Sequence, residues 1–269
     1  MNLQIEVDMR VRDATWPGFG RGLGADVKAE LLMIGSCSTT YRLGEAVFRT
    51  TRVDDNPEIT HSNAQAMAME TNVYRILGAH ERIAKCLYLG PIDNVVVLKF
   101  YSIGNLKDYI TAHGPSQLHK WTKQMIEAVE YIHSRGVRHS DIKLCQWLLD
   151  SGLNARLSDF NGCGYDAQPL LGMRSVKALS YERQSHFLPR DRSKDNTVIS
   201  DLFALGSALY ELEHGSSPFV EISEERVTEY FTQGKFPPVS DMALGRIILG
   251  CWQSHYRSAT ELLYAAEQL

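Results

Sequence analysis

The sequence predicts an α+β protein in two parts, a small strand-rich part followed by a larger, mostly helical one. Three observations predict it. Short apolar runs of strand length dominate the first hundred residues, punctuated by Gly35 and Gly44. After Gly104 the apolar period lengthens to that of helices, most plainly at Leu118, Trp121, Met125, Val129 and Ile132. The length of 269 residues, with ordinary globular composition, suits one large domain or two lobes around a cleft.

Residues 1–26 read as an N-terminal extension, an irregular arm or a wrapping segment. Residues 1–12 alternate charged with apolar side chains, and Trp16-Pro17-Gly18 and further glycines follow. Strands are expected at 29–34, 39–43 and 46–50 as a meander. Residues 54–61, with Pro57, read as a polar linker. Asn63 is the expected cap of a helix running to Leu77, with Glu70, Val73, Tyr74 and Leu77 on one face and Gly78 as its stop. Two more strands are expected at 84–89 and 95–100. A short helix at 105–112 and a long one at 116–133 follow, the latter ended by Gly136. Residues 147–150 and 155–158 read as a hairpin. Helices are expected again at 200–213 and at 259–269.

Bulk properties exclude several classes. The net charge of −4 gives no electrostatic footprint for nucleic acid or an anionic membrane. No apolar run is long enough to span a bilayer, and the N-terminus lacks the apolar core of a signal peptide. The five cysteines are scattered and form no C-x-x-C pair, which argues against a disulfide framework or zinc site. An intracellular, cytoplasmic setting is expected.

The chemistry concentrates in two segments, His139-Ser140-Asp141-Ile142-Lys143-Leu144-Cys145-Gln146 and Ser158-Asp159-Phe160-Asn161-Gly162, on either side of the hairpin. This order brings two carboxylates, Asp141 and Asp159, to one mouth. Phosphoryl transfer needs one carboxylate to orient the attacking hydroxyl and another to hold Mg²⁺ against phosphates. Over residues 27–269 the chain resembles the protein kinase superfamily, whose loops read H-R-D-x-K-x-x-N and D-F-G. The strings at 188–191 and 200–207 are similar to a divergent fungal-type Ser/Thr group. The resemblance implies a bilobal fold, with a β-rich N-lobe at about 27–98 carrying one regulatory helix and a mostly helical C-lobe at about 102–269. It implies ATP and Mg²⁺ as cofactors, and a protein substrate or protein partner beside the nucleotide.

It also implies roles. Asp141 is the base and Lys143 neutralises charge on the transferred group. Asp159 and Gln146 are the metal ligands, Gln146 standing where the family has asparagine. Arg49 stands where V-A-I-K ends, with Glu70 as its helix partner; the guanidinium is expected to lock bidentately on Glu70. Gly35 is the one glycine left of the phosphate loop, and Lys99 and Tyr101 flank the hinge and would meet the nucleotide. Asn161 replaces a glycine, and Gly162 is expected to supply the missing freedom. Leu188-Pro189-Arg190 stands where A-P-E is usual, so both ends of the family's buried ion pair read as lost. Asp201 is expected to bond the catalytic-loop backbone. The intact Asp141, Lys143, Asp159 and Glu70 favour a Ser/Thr kinase of reduced activity. The departures at Cys37, Arg49, Gln146 and Asn161 favour a pseudokinase that binds or scaffolds. A small-molecule kinase of the aminoglycoside or choline type is a third reading, opposed by Lys143 and the Asp201 helix.

Overall fold

The computed structural model describes residues 29–90 and 95–268; the N-terminal extension expected at 1–26 lies outside the described residues. The chain divides into two compact units. One comprises residues 1–79 and 85–100, the other residues 80–84 and 101–269.

Among the described residues the first unit is a five-stranded antiparallel sheet with one helix. Strands β1 (Glu30–Ile34), β2 (Ser38–Leu43), β3 (Ala46–Thr51), β4 (Cys86–Leu89) and β5 (Val96–Lys99) lie in the order β1-β2-β3-β5-β4. Gly44, at φ 60°, makes the tight β2–β3 turn. The β3–β5 register sets Arg49 opposite Val96. Tyr41, Leu43, Ala46, Phe48 and Val97 form a core cluster in the sheet. Helix α1 (Pro57–Leu77) starts earlier than the sequence suggested. Asn56, not Asn63, caps it, its side-chain oxygen accepting from the Glu58 N–H at 2.9 Å. Pro57 belongs to the first turn, where a missing N–H costs nothing. Asn63 is buried instead and donates to the Arg52 carbonyl at 2.8 Å, tying the helix to the end of β3. The expected face of Glu70, Val73, Tyr74 and Leu77 is buried, and Met67 is buried with it.

The second unit is mostly helical. It contains α2 (Leu106–His113), α3 (Leu118–Ser134), α4 (Val198–His214), α5 (Glu224–Thr232), α6 (Gly245–Trp252) and α7 (Ala259–Ala266). Helix α4 is buried along nearly its whole length and starts in a capping box between Thr197 and Ser200. Gly206 lets α6 approach closely, since a Cβ there would lie 2.6 Å from the Cys251 Cβ. Trp252 donates to Ser207 at 2.9 Å across the same contact. Two small ladders frame the loops of interest. Strand β6 (Val137–Arg138) pairs with β9 (Gly164–Tyr165), and β7 (Trp147–Leu149) pairs with β8 (Ala155–Leu157) as the expected hairpin. Helix α3 holds the hairpin turn through Trp121, which donates to the Leu153 carbonyl, and Gln124, which accepts from the Ala155 N–H.

Candidate functional site

The loop after β6 is fixed from beneath by α4. Asp201, fully buried, accepts the His139 N–H at 2.7 Å and the Ser140 N–H at 2.9 Å. His133 of α3 adds a third contact at 2.9 Å. Burial alone would raise the Asp201 pKa; the bond and charge of His133 and the backbone bond from Ser140 outweigh it and hold the carboxyl below its usual range. Ser140 takes φ 68°, a left-handed conformation that costs a non-glycine residue about 1–2 kcal/mol. The Asp201 clamp on its N–H is what this backbone leans on. His139 spans to the second loop, its ring nitrogen 3.1 Å from the Ser158 carbonyl and its ring 5.4 Å from that of Phe160.

On this base the loop presents its polar residues while Ile142 and Leu144 are buried. Lys143 Nζ donates to Asp141 Oδ2 at 2.5 Å, and Gln146 Nε2 donates to the same oxygen at 3.1 Å. Burial of Lys143 works against its charge, but Asp141 outweighs it and the lysine pKa is raised. A cation and an amide thus hold one carboxylate oxygen. Gln146 is itself pinned through its main chain: its carbonyl accepts from the Ser158 N–H at 3.0 Å and the Ser158 hydroxyl at 2.8 Å. Between these residues, burial pushes the Cys145 thiol up, so it is not an activated thiolate.

The second loop differs from expectation in its backbone. Asp159, not Asn161 or Gly162, carries the positive φ, at 69°. Asn161 instead donates from Nδ2 to Asp159 Oδ1 at 2.8 Å. Gly162 is needed for space rather than for φ: its carbonyl accepts the Leu179 and Ser180 N–H groups, and a side chain there would overlap Ser180. Phe160 is fully buried. Asp141, Lys143, Gln146 and Asp159 therefore sit on two loops joined by His139–Ser158 and Gln146–Ser158 contacts.

The first unit holds the remaining predicted residues. Arg49 Nη1 donates to Glu70 Oε1 at 2.6 Å, and Glu70 is fully buried. The fork is split rather than laid flat on the carboxylate, because Nη2 donates to Ser38 Oγ at 3.2 Å. Gly35 closes a tight turn, its N–H bonded to the Ser38 carbonyl at 2.8 Å. Lys99 ends β5 with an exposed side chain. In the second unit Tyr101 is buried.

The segment that ends in Leu188-Pro189-Arg190 carries a buried ion pair of its own, which the sequence reading did not anticipate. Glu182 is a buried acid, and Arg190 donates to its Oε2 at 2.8 Å. Asn196 adds a bond to Oε1 at 3.3 Å, and the Arg190 guanidinium lies 4.5 Å from the Phe187 ring centre. Burial raises the Glu182 pKa to about 7 against the pull of Arg190. The partner of Glu182 is thus Arg190, the residue that stands where A-P-E has its acid.

A strand-rich unit with a buried Arg–Glu pair, and a helical unit with this loop–hairpin–loop, define a protein kinase fold. The chain belongs to the protein kinase family: the family model described as "Protein kinase domain" matches residues 40–258. Among its relatives is CBL-interacting serine/threonine-protein kinase 8 of Arabidopsis thaliana, 32% identical over 155 residues that cover 56% of this chain and 34% of that protein. CBL-interacting protein kinase 24 of Oryza sativa subsp. japonica is 26% identical over 189 residues, covering 68% of this chain and 41% of that protein. The 3-phosphoinositide-dependent protein kinase 1 of Arabidopsis thaliana is 33% identical over 131 residues, covering 45% of this chain and 27% of that protein. The chain thus spans less than half the length of these relatives. No helix among the described residues is long and apolar enough to cross a membrane.

Proposed function

We propose that this chain is a Mg²⁺- and ATP-dependent phosphotransferase acting on serine or threonine hydroxyls of a protein substrate, with turnover below that of an intact family site. The observation that carries this reading is Asp141. Its carboxylate is held by Lys143 and Gln146 on a loop that Asp201 clamps to α4. Asp141 orients the substrate hydroxyl and accepts its proton. Lys143 offers a cation beside that carboxylate, against the negative charge of the group being transferred.

The donors fit a magnesium nucleotide in kind. Mg²⁺ is bound by hard oxygens, commonly one or two carboxylates completed by phosphates and water. Asp159 supplies a carboxylate. Gln146 supplies an amide whose nitrogen is turned to Asp141, which leaves its oxygen the atom for a ligand. Among the described residues there is no cluster of three acidic, histidine or cysteine side chains, so phosphate oxygens would have to complete the shell. When bound, the magnesium nucleotide supplies the phosphoryl group and neutralises its charge. Gly35, Arg49 and Glu70, with Lys99 and Tyr101, are the proposed nucleotide-side residues.

A catalytically impaired binding domain is the second reading, and two observations favour it. Asn161 occupies an oxygen of Asp159 that a metal would want, and both Nη atoms of Arg49 are committed within the protein. Thermal melting with and without ATP and Mg²⁺ separates the readings. Ligand at 100 times its dissociation constant adds about 2.7 kcal/mol, a visible shift. A Mg²⁺-dependent shift supports the phosphotransferase; no shift at millimolar ATP supports the binding domain.

A further inference from the structure

We propose that residues 174–183 bind acid-rich protein segments, and so select substrates with acidic side chains around the phosphoacceptor. The selection of substrates rests on the phosphotransferase reading of Asp141. The segment lies beside the second loop of the site. The Gly162 carbonyl accepts the Leu179 N–H at 3.0 Å and the Ser180 N–H at 3.3 Å, and Tyr165 exchanges backbone bonds with Val176. Its charge is one-sided. Between residues 167 and 189 the cations are Arg174, Lys177 and Arg183, and the only acid is Glu182. Glu182 is buried against Arg190. The three cations are exposed and, among the described residues, make no ion pair and no side-chain hydrogen bond. They stand out in a chain whose net charge is −4.

The same sign continues to the reactive carboxylate. Helix α2 packs on the 144–146 turn, and α4 packs on both that turn and the turn at 184–186. This gathers Lys107, Lys143 and Arg183 around the buried His186, whose pKa all three charges lower. Lys143 is in turn bonded to Asp141. The acid within this group, Glu211, is only 2% exposed. Its Oε1 takes Lys107 at 2.9 Å and the Ser217 hydroxyl at 3.2 Å, and its Oε2 faces His186 at 4.0 Å. A basic side chain of a substrate therefore finds that carboxylate already engaged, whereas an acidic one meets unmatched cations. Leu179 and Tyr181, 48% and 44% exposed, set apolar surface among those cations for the neighbouring side chains. The exposed acids Glu221, Glu224 and Glu225 belong to α5 and the turn before it, which meet this face through Thr228 and its bond to Gln184. They are the rival surface, and it would take a basic peptide.

Fluorescence anisotropy on the full chain tests this with two peptides of equal length, one serine flanked by aspartate and glutamate, the other flanked by lysine and arginine. The acidic peptide should bind about tenfold more tightly, since each of a few half-exposed charge pairs contributes a small factor, and the gap should narrow as salt rises. Lys177→Glu/Arg183→Glu should reverse the preference, and Lys177→Gln/Arg183→Gln should remove most of it. Both side chains are exposed, so the variants should melt within a few degrees of wild type. Equal binding of the two peptides, tighter binding of the basic one, or an acidic preference that survives both variants would overturn the proposal. Phosphate transfer to the same peptides is a separate readout. An acidic binding preference without transfer would support the binding face and contradict the phosphotransferase reading.

Discussion

Replacing Asp201 by alanine tests how the catalytic loop is held. The wild-type carboxylate is fully buried and satisfies the N–H groups of His139 and Ser140, at 2.7 and 2.9 Å, and His133 at 2.9 Å. Its loss strands two buried backbone donors, at about 1–3 kcal/mol each. Ser140 would also keep its left-handed φ without the bond that supports it. Removing one member of a buried charged network costs about 3–5 kcal/mol, and the sum here lies in the same range. For a domain of this size each kcal/mol moves the melting temperature by about 2–4 °C, so a fall of roughly 10 °C is expected. Asp201→Asn keeps one acceptor oxygen and should fall in between. Because the Asp201 pKa is lowered in the fold, its contribution is fully present above the unfolded carboxyl pKa and fades as pH falls through the folded value. The assay is thermal melting at neutral pH, with hydrogen exchange at the His139 and Ser140 amides. A shift under 2 °C with those amides still protected would refute the clamp.

Other positions give further expectations. Arg190→Leu strands the buried Glu182 carboxyl and should cost about 3–5 kcal/mol, mostly recovered in the Arg190→Leu/Glu182→Leu pair; additive losses in that double-mutant cycle would contradict the ion pair. His186 is fully buried, and burial, then the nearby Arg183, Lys143 and Lys107 charges, push its pKa to about 3. The Glu211 carboxylate 4.0 Å away gives little relief, since Lys107 already pairs with it at 2.9 Å. The unfolded chain therefore binds the proton first, and stability drains as pH falls below about 6.5, by about 2–3 kcal/mol by pH 4.5. Glu182 acts oppositely, its raised pKa favouring the fold as pH falls from about 7 toward 4.5, so His186→Gln is needed to isolate the histidine. That variant should lose less stability than wild type on acidification; an unchanged pH profile would argue against the buried neutral imidazole. Arg49→Lys releases Ser38 and restores a compact cation beside Glu70, and should raise ATP affinity or turnover by at least about tenfold. No gain would place the defect in the Gly35 turn or at Asn161.

Much of the architecture was legible because it rests on spacing. The hairpin and the α4 helix follow from short apolar runs. The Asp201 bond to the loop and the Arg49–Glu70 pair were legible only through the resemblance to the kinase motifs. What failed involved local ambiguity. Pro57 was read as a linker residue, although proline is as good a helix starter as it is a breaker. Helices α5 and α6 have eight or nine residues each, too few turns to show a period. The pairing of Glu182 with Arg190 depends on a turn that no residue-type pattern announces. The positive φ at Asp159 was assigned to its neighbours because glycine and asparagine are the usual carriers. In the fold it falls on the aspartate, whose carboxylate accepts from Asn161.

Transfer of labelled γ-phosphate from ATP to a mixture of serine and threonine peptides, with wild type beside Asp141→Asn, tests the central claim most directly. The account predicts transfer by the wild type that requires Mg²⁺. It predicts none by Asp141→Asn, with the variant's melting temperature staying within a few degrees of wild type. Equal transfer by both proteins would contradict the role given to Asp141. A folded wild type that neither transfers phosphate nor shifts its melting with magnesium nucleotide would contradict the phosphotransferase itself.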